Sequence, residues 1–117
     1  MSEYSEQVSI FRWANQYAHI DSRLLLLHAS LNGVKLSQGA ARKAKQAGMV
    51  AGVPDIFLPV ACGGYHGLYI ELKVGKNTAT KAQLEFMALV KKQGYLCRVC
   101  YGADEAINTI VDYLNEK

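Results

Sequence analysis

The sequence predicts a mixed β-sheet flanked by helices, an α/β sandwich, and three observations carry that reading. Two apolar, strand-like runs, about 55–61 and 67–74, are joined by CGGYH, whose paired glycines suit a hairpin. A third alternating run, about 95–101, lies between two segments with helical periodicity. A further helical segment opens the chain, so the predicted order is helix, extended segment, helix, strand, strand, helix, strand, helix.

From about Ser5 to Ala18, the residues Val8, Phe11, Ala14, Tyr17 and Ala18 recur at helical spacing, and Ser2 or Ser5 is available as the N-cap. Leu24 to Ala29 reads as a strand or short extended segment, and Asn32-Gly33 is a strong turn signal. Residues 38–47 (QGAARKAKQA) favour helix and are stopped by Gly48. Thr80 caps the next helix, which runs to about Gln93 with Leu84, Met87, Ala88 and Lys91 on one stripe and Gly94 ending it. Ala103 to Leu114 forms the last helix, with Ala106, Ile107, Ile110 and Leu114 inward.

At 117 residues the chain fits one domain, 1–117, able to bury a core without disulfides or a structural metal. Hydrophobic residues make up 50% and charged residues 20%, an ordinary globular balance that excludes a disordered chain. The longest apolar runs, such as Ile56 to Cys62, are too short to span a bilayer, and MSEYSEQ is unlike a secretion signal; a cytoplasmic protein is the expectation. Cys62, Cys97 and Cys100 are an odd set, which argues against a disulfide framework. The C-x-x-C of the last two lies in an alternating run, where positions three apart face opposite sides, so buried thiols are expected rather than zinc ligands.

Charge is distributed unevenly. Between Asp21 and Asp55 no acidic residue occurs, while Arg23, Lys35, Arg42, Lys43 and Lys45 all fall there. Such a one-sign segment suits a polyanion, although a solvated basic helix face accounts for it as well.

The chemistry resides in the hairpin. A turn centred on Gly63 or Gly64 sets Asp55 opposite residues 71 to 73, and Glu71 and Lys73, two apart, share a face. Two carboxylates at that distance repel unless a cation sits between them, and Mg²⁺ or Mn²⁺ prefers such oxygen ligands and also binds phosphates. Phosphoryl chemistry is therefore expected, with Lys73 orienting or deprotonating the attacking water or neutralising the transition state.

Pro54-Asp55, followed by Glu71-Leu72-Lys73 on the next strand, resembles the PD-(D/E)xK nuclease superfamily with its restriction-endonuclease-like core. Further features are similar to the VRR-NUC family, the virus-type replication and repair nucleases. They are Glu6-Gln7 with Trp13, the Asn32-Gly33 turn, Ala41 through Lys45 to Gly48, GVPD at 52–55, HGLYIELK at 66–73, Gln83, and Gly94-Tyr95. The resemblance implies that Asp55 and Glu71 are metal ligands with the Leu72 backbone carbonyl, and that Lys73 is the catalytic lysine. It also implies that Glu6 completes the site and that Gln83 is a catalytic-site glutamine. Glu3, one turn before Glu6, competes with it, and loses its claim if the helix begins only at Ser5.

His66 reads as a turn histidine, and His28 and His19 lack spaced partners for a metal. Lys35, Arg42, Lys43 and Lys45 are the expected DNA-backbone contacts. A bare core of this size has little surface for reading sequence, so recognition by DNA shape is expected. The resemblance to small stand-alone family members implies a homodimer resolving four-way (Holliday) junctions, without a membrane or a small-molecule cofactor. Flap or other branched-DNA cleavage, a non-catalytic DNA-binding protein and a restriction endonuclease are the alternatives.

Overall fold

A computed structural model describes residues 1–32 and 34–116, so Gly33 of the expected Asn-Gly turn lies outside the described residues. Helix α1 spans Glu3–Tyr17, and a 3₁₀ turn at Ser22–Leu26 leads into strand β1 (His28–Ala29). Helix α2 (Gln38–Gln46), the strand pair β2 (Ile56–Leu58) and β3 (Leu68–Lys73), helix α3 (Lys81–Lys92), strand β4 (Leu96–Tyr101) and helix α4 (Ala103–Asn115) follow. The sheet order is β1-β2-β3-β4, antiparallel for the first two pairs and parallel for β3 with β4. That parallel pair requires a crossover, which α3 supplies. The α/β class and the order of elements match the sequence expectation.

The hairpin turn is Gly63-Gly64, with φ of 59° and 86°, and Cys62 and Tyr65 exchange hydrogen bonds of 3.0 and 2.9 Å across it. Two successive positive φ values belong to the tight turn whose twist matches paired strands. Leu58 nevertheless pairs with Leu68, so four residue steps separate ladder from turn on one arm and three on the other. The additional residue lies in the Pro59–Ala61 stretch, where Pro59 has no N–H to lose from a ladder. Its consequence is register: Ile56 faces Ile70, which sets Asp55 opposite Glu71 rather than Leu72 or Lys73.

One sheet face carries the core. Ile56, Leu58, Leu68, Ile70 and Leu72 pack with Ile10 and Ala14 of α1 and with Ala106, Ile110 and Leu114 of α4. Burying a large aliphatic side chain contributes roughly 1.5–3 kcal/mol, which is why this face anchors the fold.

Several local expectations are corrected. The first half of the segment 24–29, expected to be a strand or short extended segment, belongs to the 3₁₀ turn, because the Asp21 carboxylate accepts the Arg23 N–H at 3.1 Å and caps it; only His28 and Ala29 pair. In α1 the fully buried residues are Ile10 and Ala14, and Tyr17 is exposed. In α3 only Met87 of the expected stripe is buried; Leu84 is exposed, and Phe86 and Val90 turn inward with Met87. Apolar residues surround α3, so its buried side is chosen by the sheet beneath it rather than by local spacing. Cys97 and Cys100 are free, buried thiols on opposite sheet faces. Cys97 Sγ lies 3.8 Å from the Met87 carbonyl on α3, and Cys100 Sγ lies 3.5 Å from Thr109 Oγ1 on α4.

Candidate nuclease site

Asp55 is placed by what flanks it. Pro54 is fully buried, the Asp55 carbonyl accepts the Ser30 N–H at 2.8 Å, and the Asp55 carboxylate accepts the Leu72 N–H at 2.8 Å. The carboxylate is thus fixed across the end of the β2–β3 ladder. A strand residue points its N–H and carbonyl to the same side, so the Leu72 carbonyl also faces Asp55, beyond the last ladder pair.

Glu71 is 1% exposed, and its two oxygens differ. Oε2 accepts Gln83 Nε2–H at 3.0 Å and lies 3.4 Å from Lys73 Nζ, while Oε1 is buried with no hydrogen-bond partner. Burial first, and then the neighbouring Asp55 carboxylate, push the Glu71 carboxyl up to about 8, with Lys73 partly offsetting both. A buried carboxylate oxygen left bare is costly. The two carboxylates and the Leu72 carbonyl form a hard-oxygen donor set, and the bare Oε1 is the position at which a divalent cation fits.

Gln83 reaches Glu71 because α3 begins where it does. Thr80 and Gln83 form a capping box: Thr80 Oγ1 accepts the Gln83 N–H at 3.2 Å, and Gln83 Oε1 accepts the Thr80 N–H at 2.8 Å. Gly52, at φ +88°, lies under this turn so closely that a Cβ there would come within 2.3 Å of the Ala82 carbonyl oxygen. The sequence reading included Gly52 in the GVPD motif but assigned it no part in holding α3 against the site.

Glu6 lies inside α1, and its carboxylate accepts the Ala103 N–H at 3.0 Å, at the first turn of α4. Gly102, which precedes that helix, has no side chain to cap it and its N–H bonds the Lys73 carbonyl, so Glu6 caps α4 from another element. Glu3 is also within α1, contrary to the helix start that would weaken it, and it accepts Asn77 Nδ2–H at 3.4 Å. Among the described residues no three of His, Cys, Asp and Glu gather as a metal-holding cluster; Asp55 and Glu71 are brought together, and Glu6 is turned to α4. Lys35, Arg42, Lys43 and Lys45 are all exposed and away from Glu71 in sequence; Lys35 precedes α2 and the other three lie on it, a helix with no fully buried residue.

Aspartate and Glu-Leu-Lys on adjacent strands of a four-stranded mixed sheet define a nuclease core of the PD-(D/E)xK type. Within that class, the sequence profile of the VRR-NUC domain matches residues 1–104. A solved structure described as a VRR_NUC domain protein superposes with a TM-score of 0.82 at 30% identity, covering 99% of this chain and 90% of that one. The chain belongs to the VRR-NUC family, whose nucleases act on DNA and are generally divalent-metal dependent. No curated protein matches it. No described helix is long and apolar enough to cross a membrane.

Proposed function

We propose that residues 1–117 form one divalent-metal-dependent endodeoxyribonuclease unit that acts on branched DNA, resolving four-way junctions as a homodimer. The observation that carries the metal and the chemistry is the buried Glu71 carboxylate, with one oxygen held by Gln83 and Lys73 and the other bare beside Asp55.

In this reading Asp55, Glu71 and the Leu72 carbonyl would hold Mg²⁺ or Mn²⁺, with Glu6 contributing from α1. When bound, the ion polarises the scissile phosphate and lowers the pKa of water at the site. Lys73, nearly buried and tethered to Glu71, orients the attacking water and offsets negative charge building on the phosphate. Gln83 keeps Glu71 in one rotamer, so the carboxylate enters the reaction already positioned. Lys35, Arg42, Lys43 and Lys45 bind the DNA backbone, supported by their exposure and by the lack of acidic residues between Asp21 and Asp55.

The junction preference rests on the small size of the unit, which favours recognition of shape, and on the approximate two-fold symmetry of a junction, which a homodimer matches. The test is cleavage of a four-way junction, a flap, plain duplex and single strand with Mg²⁺ or Mn²⁺, alongside Asp55→Ala and Lys73→Ala. Junction cutting by the parent and by neither variant is expected. Junction binding without cutting points to a non-catalytic binding protein, and preferred cutting of another substrate retains the chemistry but removes the resolvase assignment.

A further inference from the structure

The sheet face that carries Asp55, Glu71 and Lys73 continues toward the hairpin as an aromatic surface. His28 pairs with Phe57 and Phe57 with Tyr69 in the strand register, so three rings cross β1, β2 and β3 in one row. Phe57 and Tyr69 stack with centroids 4.3 Å apart and planes 19° from parallel, and His28 meets Phe57 edge-on at 5.6 Å. Tyr95 joins the pair at 6.0 and 5.6 Å, and His66 lies 5.8 Å from Tyr95.

This row is not sealed. Phe57, Tyr69 and Tyr95 are half-buried, whereas His28 and His66 are exposed. Phe86 of α3 covers one edge of Tyr69 at 5.7 Å, whereas α1 and α4 pack on the opposite face of the sheet, and β1 is the edge of the sheet. The row is therefore open at its β1 end. Two glycines make room for its rings: a Cβ at Gly67 would come within 2.9 Å of the Phe57 ring, and one at Gly94 within 2.7 Å of His66.

We propose that this row is a stacking subsite for an unpaired nucleobase next to the scissile phosphate; the proposal rests on the nuclease reading above. Tyr69 and Glu71 are two residues apart on β3, so ring and carboxylate lie on one face at a separation on the order of 7 Å. A strand whose phosphate reaches Glu71 and Lys73 places its neighbouring base at the open β1 end of the row, against the exposed His28 ring that Phe57 backs. Lys91 and Lys92, exposed in the last turn of α3, lie next in sequence to the Gly94-Tyr95 end of the row and offer positive charge to the continuing backbone. A π-face accepts any base, so the subsite selects for an unstacked base rather than for sequence. A single-stranded flap or an opened branch point presents such bases, and uninterrupted duplex does not.

The test uses a short single strand containing 2-aminopurine and a blunt duplex of the same length, both in EDTA so that binding is read without cleavage. His28→Ala removes the exposed ring at the open end, and Phe57→Leu keeps apolar volume but removes the ring that backs it. Stacking of about 1–3 kcal/mol per base predicts that His28→Ala weakens single-strand binding roughly 5- to 150-fold and relieves 2-aminopurine quenching, with duplex affinity unchanged. Phe57→Leu gives the same pattern with a smaller loss, and His28→Ala, at an exposed residue, is the deciding variant if Phe57→Leu does not fold. Unchanged quenching in the folded variants, or equal losses on single strand and duplex, overturns the subsite. A parent protein that cuts no DNA with Mg²⁺ or Mn²⁺ overturns the nuclease reading instead, which the binding assay distinguishes.

Discussion

Gln83 holds Glu71 with one end of its side-chain amide while the other end closes the cap of its own helix. Oε1 accepts the Thr80 N–H at 2.8 Å, which leaves Nε2 to donate to Glu71 at 3.0 Å. The cap therefore fixes which end of the amide meets the carboxylate. Gln83→Ala removes both hydrogen bonds and is expected to cost about 1 kcal/mol of stability together with a loss of cleavage rate. Gln83→Glu keeps the cap acceptor but sets a third carboxylate beside Glu71. Urea unfolding should separate the two variants, while cleavage assays should show both impaired.

The Glu71 carboxyl titrates in the folded protein near 8 instead of 4.5, mainly because it is buried. The folded state then binds its proton more tightly than the unfolded state does. This contribution to stability is fully present below pH 4.5 and is lost as pH rises through 8. The metal-free protein should lose stability across that window, by a few kcal/mol at most at about 1.4 per pH unit. Glu71→Gln should flatten the dependence. Mg²⁺ should raise Tm more at about pH 8 than at about pH 5, because it competes with the proton for the same oxygens; equal rises at both values would contradict the assignment of Glu71 as its ligand.

Glu6 caps α4 at Ala103, so a carboxylate proposed for the metal site also has a structural duty. Glu6→Gln retains an acceptor oxygen for the Ala103 N–H, whereas Glu6→Ala leaves the helix uncapped. The expected result is a stability loss of about 1 kcal/mol for Glu6→Ala and much less for Glu6→Gln, with cleavage reduced in both. Cleavage by Glu6→Gln at the parent rate would confine Glu6 to capping.

Arg42, Lys43 and Lys45 are exposed on a helix with no fully buried residue. Replacing all three with Ala should leave Tm nearly unchanged and lower DNA affinity across sequences. The slope of log affinity against log salt should flatten by about 0.9 for each phosphate of duplex DNA that is no longer neutralised. An unchanged slope would remove these residues from the DNA interface.

Much of the candidate site was legible because its determinants are close in sequence. The paired glycines centre the hairpin, the two-residue period puts Glu71 and Lys73 on one face, and Thr80 with Gln83 spells the helix cap. The register itself was legible only to within two residues. The additional residue at Pro59–Ala61 selected Glu71 as the partner of Asp55, and a bulge is set by how both strands pack, not by the turn alone.

Short-range propensity and alternation were enough to specify the α/β order, the Asp55, Glu71 and Lys73 set and the acid-free basic segment. Long-range packing was needed for Glu6 to meet Ala103, 97 positions away, and for α3 to turn Phe86, Met87 and Val90 inward. The same packing seals one oxygen of Glu71 from water without a partner. Local spacing specifies which residues share a face. Burial and long-range hydrogen bonds depend on what the rest of the chain brings against that face, and those interactions exist only after the sheet and its helices have closed together.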